Sequence, residues 1–121
     1  MAKRILIVDD DELVLIALKE LLKPQGYEVQ TITSGAEALK MLDKDGFDLL
    51  ILDIMMPEMD GFELCRRIRQ SEAYKDTPVV FLTAKSRDED RTQGLEAGAN
   101  LFLSKPISPS RLLSLIADTI R

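Results

Sequence analysis

The chain has 121 residues, 45% hydrophobic and 31% charged, with a net charge of -5, the profile of one ordinary globular domain with no reason to expect disorder. Histidine is absent and cysteine occurs once, at Cys65, which excludes His-based zinc sites, Ser-His triads, a histidine relay within the chain and an internal disulfide. The acidic balance argues against nucleic acid as a partner of this domain, since phosphate binding needs clustered Lys and Arg.

Residues 1–4 carry two basic side chains with no apolar run behind them, and the longest aliphatic runs are only a strand long. Neither a signal peptide nor a membrane span is expected, and the default compartment is the cytoplasm. The first predicted strand, Arg4–Val8, is continuously apolar from Ile5 and ends on Asp9-Asp10. A helix should begin near Asp11; Val14, Ala17, Leu18 and Leu21 follow the three-and-four spacing of one buried face, and Pro24 with Gly26 stops it. The second strand, 27–32, interleaves polar residues, and Ser34-Gly-Ala-Glu37 reads as a capping box opening the second helix. The third strand, 48–53, is apolar from Leu49 to Leu52, yet finishes on a charge, Asp53, before Pro57 and Gly61. Asp60 caps the third helix, where Cys65 falls among apolar partners at helical spacing and reads as packing. The fourth strand, 78–83, ends on Thr83, and Ser86-Arg-Asp-Glu89 predicts the next cap. A fifth strand, 100–104, runs into Lys105; Ser108-Pro109 then opens a last helix whose face is Leu112, Leu113, Ile116 and Ile120.

Strict alternation of strand and helix implies an α/β fold, a doubly wound parallel sheet of five strands with five helices in a single domain over residues 1–121. Continuously apolar strands belong at the centre and polar-interleaved ones at the edges, which places the second and fifth strands outermost. That is compatible with the order 2-1-3-4-5.

In such a sheet, ligands bind beyond the carboxyl ends of the strands, beside the point where strand order reverses. Asp9, Asp10, Asp53, Thr83 and Lys105 all fall on that rim. Carboxylates gathered there repel one another unless a cation offsets them, and a hard divalent ion such as Mg²⁺, with oxygen ligands, suits them. A carboxylate, a cation and a lysine around an open position make a phosphoryl-transfer arrangement. A carboxylate is ordinarily ionised at neutral pH, so Asp53 would need no general base to act as nucleophile.

Val8-Asp9-Asp10, Leu52-Asp53, Met56-Pro57 with Asp60-Gly61, Thr83-Ala84 and Ser104-Lys105-Pro106 together resemble the receiver domain of bacterial two-component response regulators, including its chemotaxis members, over nearly the whole chain. The resemblance implies a flavodoxin-like fold and a phosphorylation-activated signalling switch. It implies that Asp53 accepts a phosphoryl group from a phosphohistidine of a sensor histidine kinase or phosphotransfer protein. Asp9, Asp10 and Asp53, with the backbone carbonyl of Met55, would hold Mg²⁺. Lys105 would pair with Asp53 and then with the phosphoryl oxygens. Thr83 would swing its hydroxyl onto the phosphoryl group, and Phe102 would fill the space behind it by turning inward. A cis Lys105–Pro106 peptide is implied as well, as is an output change on the fourth helix, fifth strand and fifth helix, read by a downstream effector domain or protein. A phosphorylation-dependent dimer is left open. The domain would catalyse only its own phosphorylation and dephosphorylation rather than act as a turnover enzyme. Two other readings are an Mg²⁺-dependent phosphohydrolase with an aspartyl-phosphate intermediate, which would need a second acid at Met55, and a non-phosphorylated protein-binding module.

Overall fold

Side chains alternate across a strand, so a strand apolar at every position must be covered on both faces. The computed structural model describes residues 2–120 and shows how that is done. Met1 and Arg121, counted in the domain from the sequence, lie outside the described residues. The described elements are β1 (Arg4–Val8), α1 (Glu12–Leu22), β2 (Glu28–Ile32), α2 (Gly35–Lys44), β3 (Leu49–Leu52), α3 (Gly61–Gln70), β4 (Val79–Thr83), α4 (Asp88–Glu96), β5 (Leu101–Ser104) and α5 (Pro109–Ile120). The strands form one parallel sheet in the order β2-β1-β3-β4-β5, with the polar-interleaved strands at its edges as their patterns predict.

Two cores result. Ile5, Ile7, Leu49, Ile51, Val80, Leu82 and Leu103 point toward α1 and α5, and Leu6, Val8, Leu50, Leu52, Val79 and Phe81 toward α2, α3 and α4. Cys65 is fully buried in the second of these, and its thiol contacts the Ala97 carbonyl at 3.4 Å; burial pushes the thiol pKa up. No helix among the described residues is long and apolar enough to cross a membrane.

Helix starts follow the predicted caps in most cases. Asp11, Ser34 and Asp60 accept from the backbone N–H groups of Leu13, Glu37 and Glu63, and Ser108 from that of Arg111. Two expectations need correction. In α1 the buried residues are Leu15, Leu18 and Leu22, whereas Ala17 is exposed; aliphatic residues surround this helix, so spacing alone fixes its phase poorly and the sheet selects the face. In α4 the cap predicted at Ser86 falls one residue later, because buried Asp90 turns back to accept from the Arg87 backbone N–H at 3.2 Å. That helix buries Asp90 and Gly94 instead of an apolar stripe. A side chain at Gly94 would collide with the Phe102 ring, with a Cβ only 2.8 Å from its edge.

The end of the sheet opposite the predicted site is held by Arg69. Its guanidinium donates to the carbonyls of Gly98 (2.9 Å), Tyr74 (2.9 Å) and Thr77 (2.6 Å) and to Asn100 Oδ1 (2.9 Å), joining α3 to the loops that lead into β4 and β5. Arg69→Met keeps an apolar stem and strips those donors, leaving several acceptors short of a partner. It is expected to cost about 2–4 kcal/mol, measured as a lowered urea midpoint with the slope unchanged.

Candidate functional site

Three residues of the predicted rim are fixed by one backbone pattern. Each donates its own N–H to the last carbonyl of the neighbouring strand: Asp9 to Ile32 (3.2 Å), Asp53 to Val8 (3.0 Å) and Lys105 to Thr83 (2.8 Å). Register therefore sets side chains from three strand ends side by side. The loop after Asp53 is shaped equally closely. The Ile54 N–H donates to Asp53 Oδ1 at 2.7 Å, and the Gly61 N–H donates to the Ile54 carbonyl at 2.9 Å. Glycine is required at position 61, because a Cβ there would overlap the Asp53 carbonyl oxygen and the Ile54 backbone. Between them Glu58 adopts φ +70°, with the Met59 N–H bonded to the Pro57 carbonyl at 2.8 Å, a tight three-residue turn that L residues rarely adopt.

Asp9, Asp10 and Asp53 each bring a carboxylate oxygen within 4.8 Å of the others. Asp9 is buried, Asp53 half-buried and Asp10 exposed. The ammonium reaching into the cluster is Lys105, whose Nζ lies 2.8 Å from Asp9 Oδ2 and 3.6 Å from Asp53 Oδ2. The pairing with Asp53 expected from the resemblance is thus present, but the shorter contact goes to Asp9. Burial raises the Asp9 pKa, and hydrogen bonds from Lys105 and the Asp11 N–H pull the other way without cancelling it. One ammonium facing three carboxylates leaves a net negative rim.

Thr83 is buried, and its hydroxyl oxygen accepts from the Lys85 N–H at 3.1 Å. Phe102 already points inward, 5.9 Å from the Phe81 ring, so the ring is buried without the inward turn expected of it. The Lys105–Pro106 peptide is cis. Met55, whose backbone carbonyl was assigned to the metal, leaves its side chain 61% exposed beside Asp10 and Lys85. Two neighbours of the site escaped the sequence reading. Arg91 lays its guanidinium over Phe102, 5.1 Å from the ring centroid, and donates to the Phe102 carbonyl at 2.8 Å. Buried Asp90 sits 3.8 Å from Lys85 Nζ. The signal was available: a helix spelled Asp-Glu-Asp-Arg-Thr-Gln-Gly-Leu-Glu has no apolar face, so polar groups must hold it.

The family model for the response regulator receiver domain matches residues 5–117. The chain belongs to that family. The receiver domain is thereby a phosphorylation-activated switch of two-component signalling. It is 39% identical over all 121 of its residues to the alkaline phosphatase synthesis transcriptional regulatory protein PhoP of Bacillus subtilis, and covers 50% of that protein; the chain spans about half the length of the curated relatives it matches. It is similar to the chemotaxis protein CheY4 of Vibrio cholerae, with a TM-score of 0.93 at 35% identity over 98% of this chain and 99% of that one. The receiver domain of the sensor histidine kinase PA1611 of Pseudomonas aeruginosa, solved with a magnesium ion in its active-site cleft, superposes with a TM-score of 0.91 at 28% identity, covering 99% and 98% of the two chains.

The raised Asp9 pKa carries a definite sign. The folded domain binds a proton at Asp9 more tightly than the unfolded chain does, so stability falls as pH rises from the ordinary value of 3.8 through the raised one, and the cost persists above it. In EDTA at neutral pH, Asp9→Asn should therefore raise the melting temperature, by about 4 °C for ~1 kcal/mol in a domain of this size. The gain should shrink as the pH falls through the raised value towards 3.8 and be absent below it. Addition of Mg²⁺ should stabilise the wild type more than the variant.

Proposed function

We propose that Asp53 is the phosphoacceptor of this receiver domain and that a phosphohistidine of a sensor histidine kinase or phosphotransfer protein is its donor, in the cytoplasm. A carboxylate oxygen of Asp53 attacks phosphorus, the O–P bond forms as the N–P bond breaks, and the electron pair leaves on the donor imidazole. The observation that carries this reading is the half-buried Asp53 carboxylate held beside the Lys105 ammonium at 3.6 Å, with two further carboxylates inside 4.8 Å.

The donor set fits a hard divalent cation. All three side chains offer oxygen, and the negative charge exceeds what Lys105 supplies. Asp9, Asp10 and Asp53, with the Met55 carbonyl, would hold Mg²⁺, which when bound neutralises phosphoryl oxygens. Lys105, already at the junction of Asp9 and Asp53, is placed to move onto a phosphoryl oxygen. Thr83 lies on the next strand end, and its hydroxyl is a donor that the same group can recruit. A group carrying about two negative charges at this rim changes which side chains its neighbours face. In this reading the change passes through Thr83 and Phe102 to the surface formed by α4, β5 and α5, which a downstream effector reads. A difference of a few kcal/mol between the two forms suffices for a switch.

A turnover phosphohydrolase is disfavoured because Met55 supplies no second acid, and an unphosphorylated binding module because every member of the acceptor constellation is in place. Incubation with acetyl phosphate and Mg²⁺ tests the proposal. Stoichiometric, acid-labile, hydroxylamine-sensitive label is expected on the wild type and none on Asp53→Asn; label retained in the variant would move the acceptor elsewhere. Met55 also has no amide or acid with which to align a water. Isolated phosphorylated protein should lose its label slowly, and Met55→Asn should speed that loss about tenfold, or ~1.4 kcal/mol of barrier, followed as the decay of radiolabel.

A further inference from the structure

We infer that Met55 is a redox-sensitive modification site: a peroxide converts its thioether to the sulfoxide, and the sulfoxide oxygen shortens the life of the phosphoryl group on Asp53. This rests on the reading above that Asp53 is the phosphoacceptor, and it adds a chemical input to the same site.

Among the described residues Met55 is the one methionine free of packing. Met41, Met56 and Met59 pack on the core beneath α2, α3 and α4, and Met59 sets its sulfur against Gly35, where a Cβ would meet it at 3.1 Å. Met55 joins neither core and leaves its side chain 61% exposed. It lines an open pocket of about 450 Å³ with Asp10, Asp60 and Lys85, beside the carboxylate cluster to which Asp10 belongs. An oxidant in water reaches an exposed thioether and is kept from packed ones. Cys65 is also an oxidisable sulfur, but it is fully buried and its thiol pKa is pushed up, so it offers little thiolate.

The step balances with a peroxide as the oxidant. A sulfur lone pair attacks one peroxide oxygen, the S–O bond forms as the O–O bond breaks, and the departing hydroxide takes the remaining peroxide proton to leave as water. Sulfur loses two electrons and the peroxide gains them. The new oxygen stands on the δ atom of the side chain, as the amide oxygen of a glutamine does. A strong hydrogen-bond acceptor thus replaces a weak one at a position two residues beyond Asp53.

An acceptor there does what the thioether cannot. Lys85 lines the same pocket, its ammonium 3.8 Å from Asp90 and with donors to spare. It can hold the sulfoxide oxygen by one lone pair while the other accepts from a water. That water attacks phosphorus: a new O–P bond forms as the aspartyl O–P bond breaks, the electron pair returns to the Asp53 carboxylate, and the proton of the water departs on inorganic phosphate. Met55 acts on the water rather than on phosphorus, so it is a positioning residue whose oxidation state sets a rate. Reduction of the sulfoxide restores the longer lifetime.

The test treats wild-type domain with hydrogen peroxide, desalts it, labels it with radiolabelled acetyl phosphate and Mg²⁺, and follows the decay of label, while peptide mass spectrometry reads the oxygen added at each methionine. Met55 should gain its oxygen before Met41, Met56 or Met59, and the label should then decay about tenfold faster. Incubation with a methionine sulfoxide reductase before labelling should restore the slow rate. Met55→Leu, which retains every other sulfur, should decay at one rate with or without peroxide, and Met55→Gln should decay fast in both. Oxidation of Met55 with unchanged decay, oxidation of a packed methionine before Met55, or equal acceleration in Met55→Leu would overturn the proposal. Untreated wild type that takes up no label at Asp53 sinks the phosphoacceptor reading and this proposal with it; labelled wild type whose decay ignores the sulfoxide sinks this proposal alone.

Discussion

Three carboxylates held within 4.8 Å of one another against a single ammonium form the constraint on which the rest of this molecule depends. Such a cluster is unfavourable by itself, and burial of Asp9 makes it more so, as the raised pKa of that side chain records. What keeps it assembled is the sheet below. The aliphatic residues of β1, β3 and β4 are buried on both faces, and the ladder between them leaves Asp9, Asp53 and Lys105 no other register. Apolar burial of many side chains fixes the positions of a few charged ones. A rim strained by its own charge would respond strongly to an added cation or phosphoryl group, and in the proposed reading that response is the basis of switching.

Much of this was legible in the sequence because the signals were redundant. A continuously apolar strand such as Leu49–Leu52 can sit only at the centre of a covered parallel sheet, and a charge at its end can lie only where the sheet opens to water. Caps at Asp11, Ser34 and Asp60 agreed with the periodicity that followed them. Where a signal stood alone it misled. The aliphatic residues surrounding α1 left its rotation to be settled by tertiary packing, which buried Leu15 rather than Ala17. Ser86 looked like a cap, but the need of buried Asp90 for donors moved the helix start. The preference of Lys105 for Asp9 over Asp53 is a matter of an ångström in side-chain placement, which no pattern of residue types encodes.

The helices differ in how firmly they are seated. α5 presses Leu112, Ile116 and Ile120 into the core, whereas α4 leans on the Phe102 ring through Gly94 and through Arg91. The weakly anchored helix is the one beside the proposed relay, and the ring that supports it lies two residues, on the same strand, from the position paired with Thr83. Fewer apolar side chains thus hold α4 than α5, on the side where the proposed switch would move.

The glycine at position 61 closes a route that evolution or an engineer would otherwise use. Any side chain there must displace the backbone that presents Asp53, so this position cannot be re-tuned by substitution. Met55 sits at the other extreme, its side chain 61% exposed and tied to nothing while its main chain borders the acceptor. If Met55 tunes the signal's lifetime as proposed, variation in that lifetime has a permissive position open to it, and the lifetime could drift between descendants while the geometry at position 61 stays fixed.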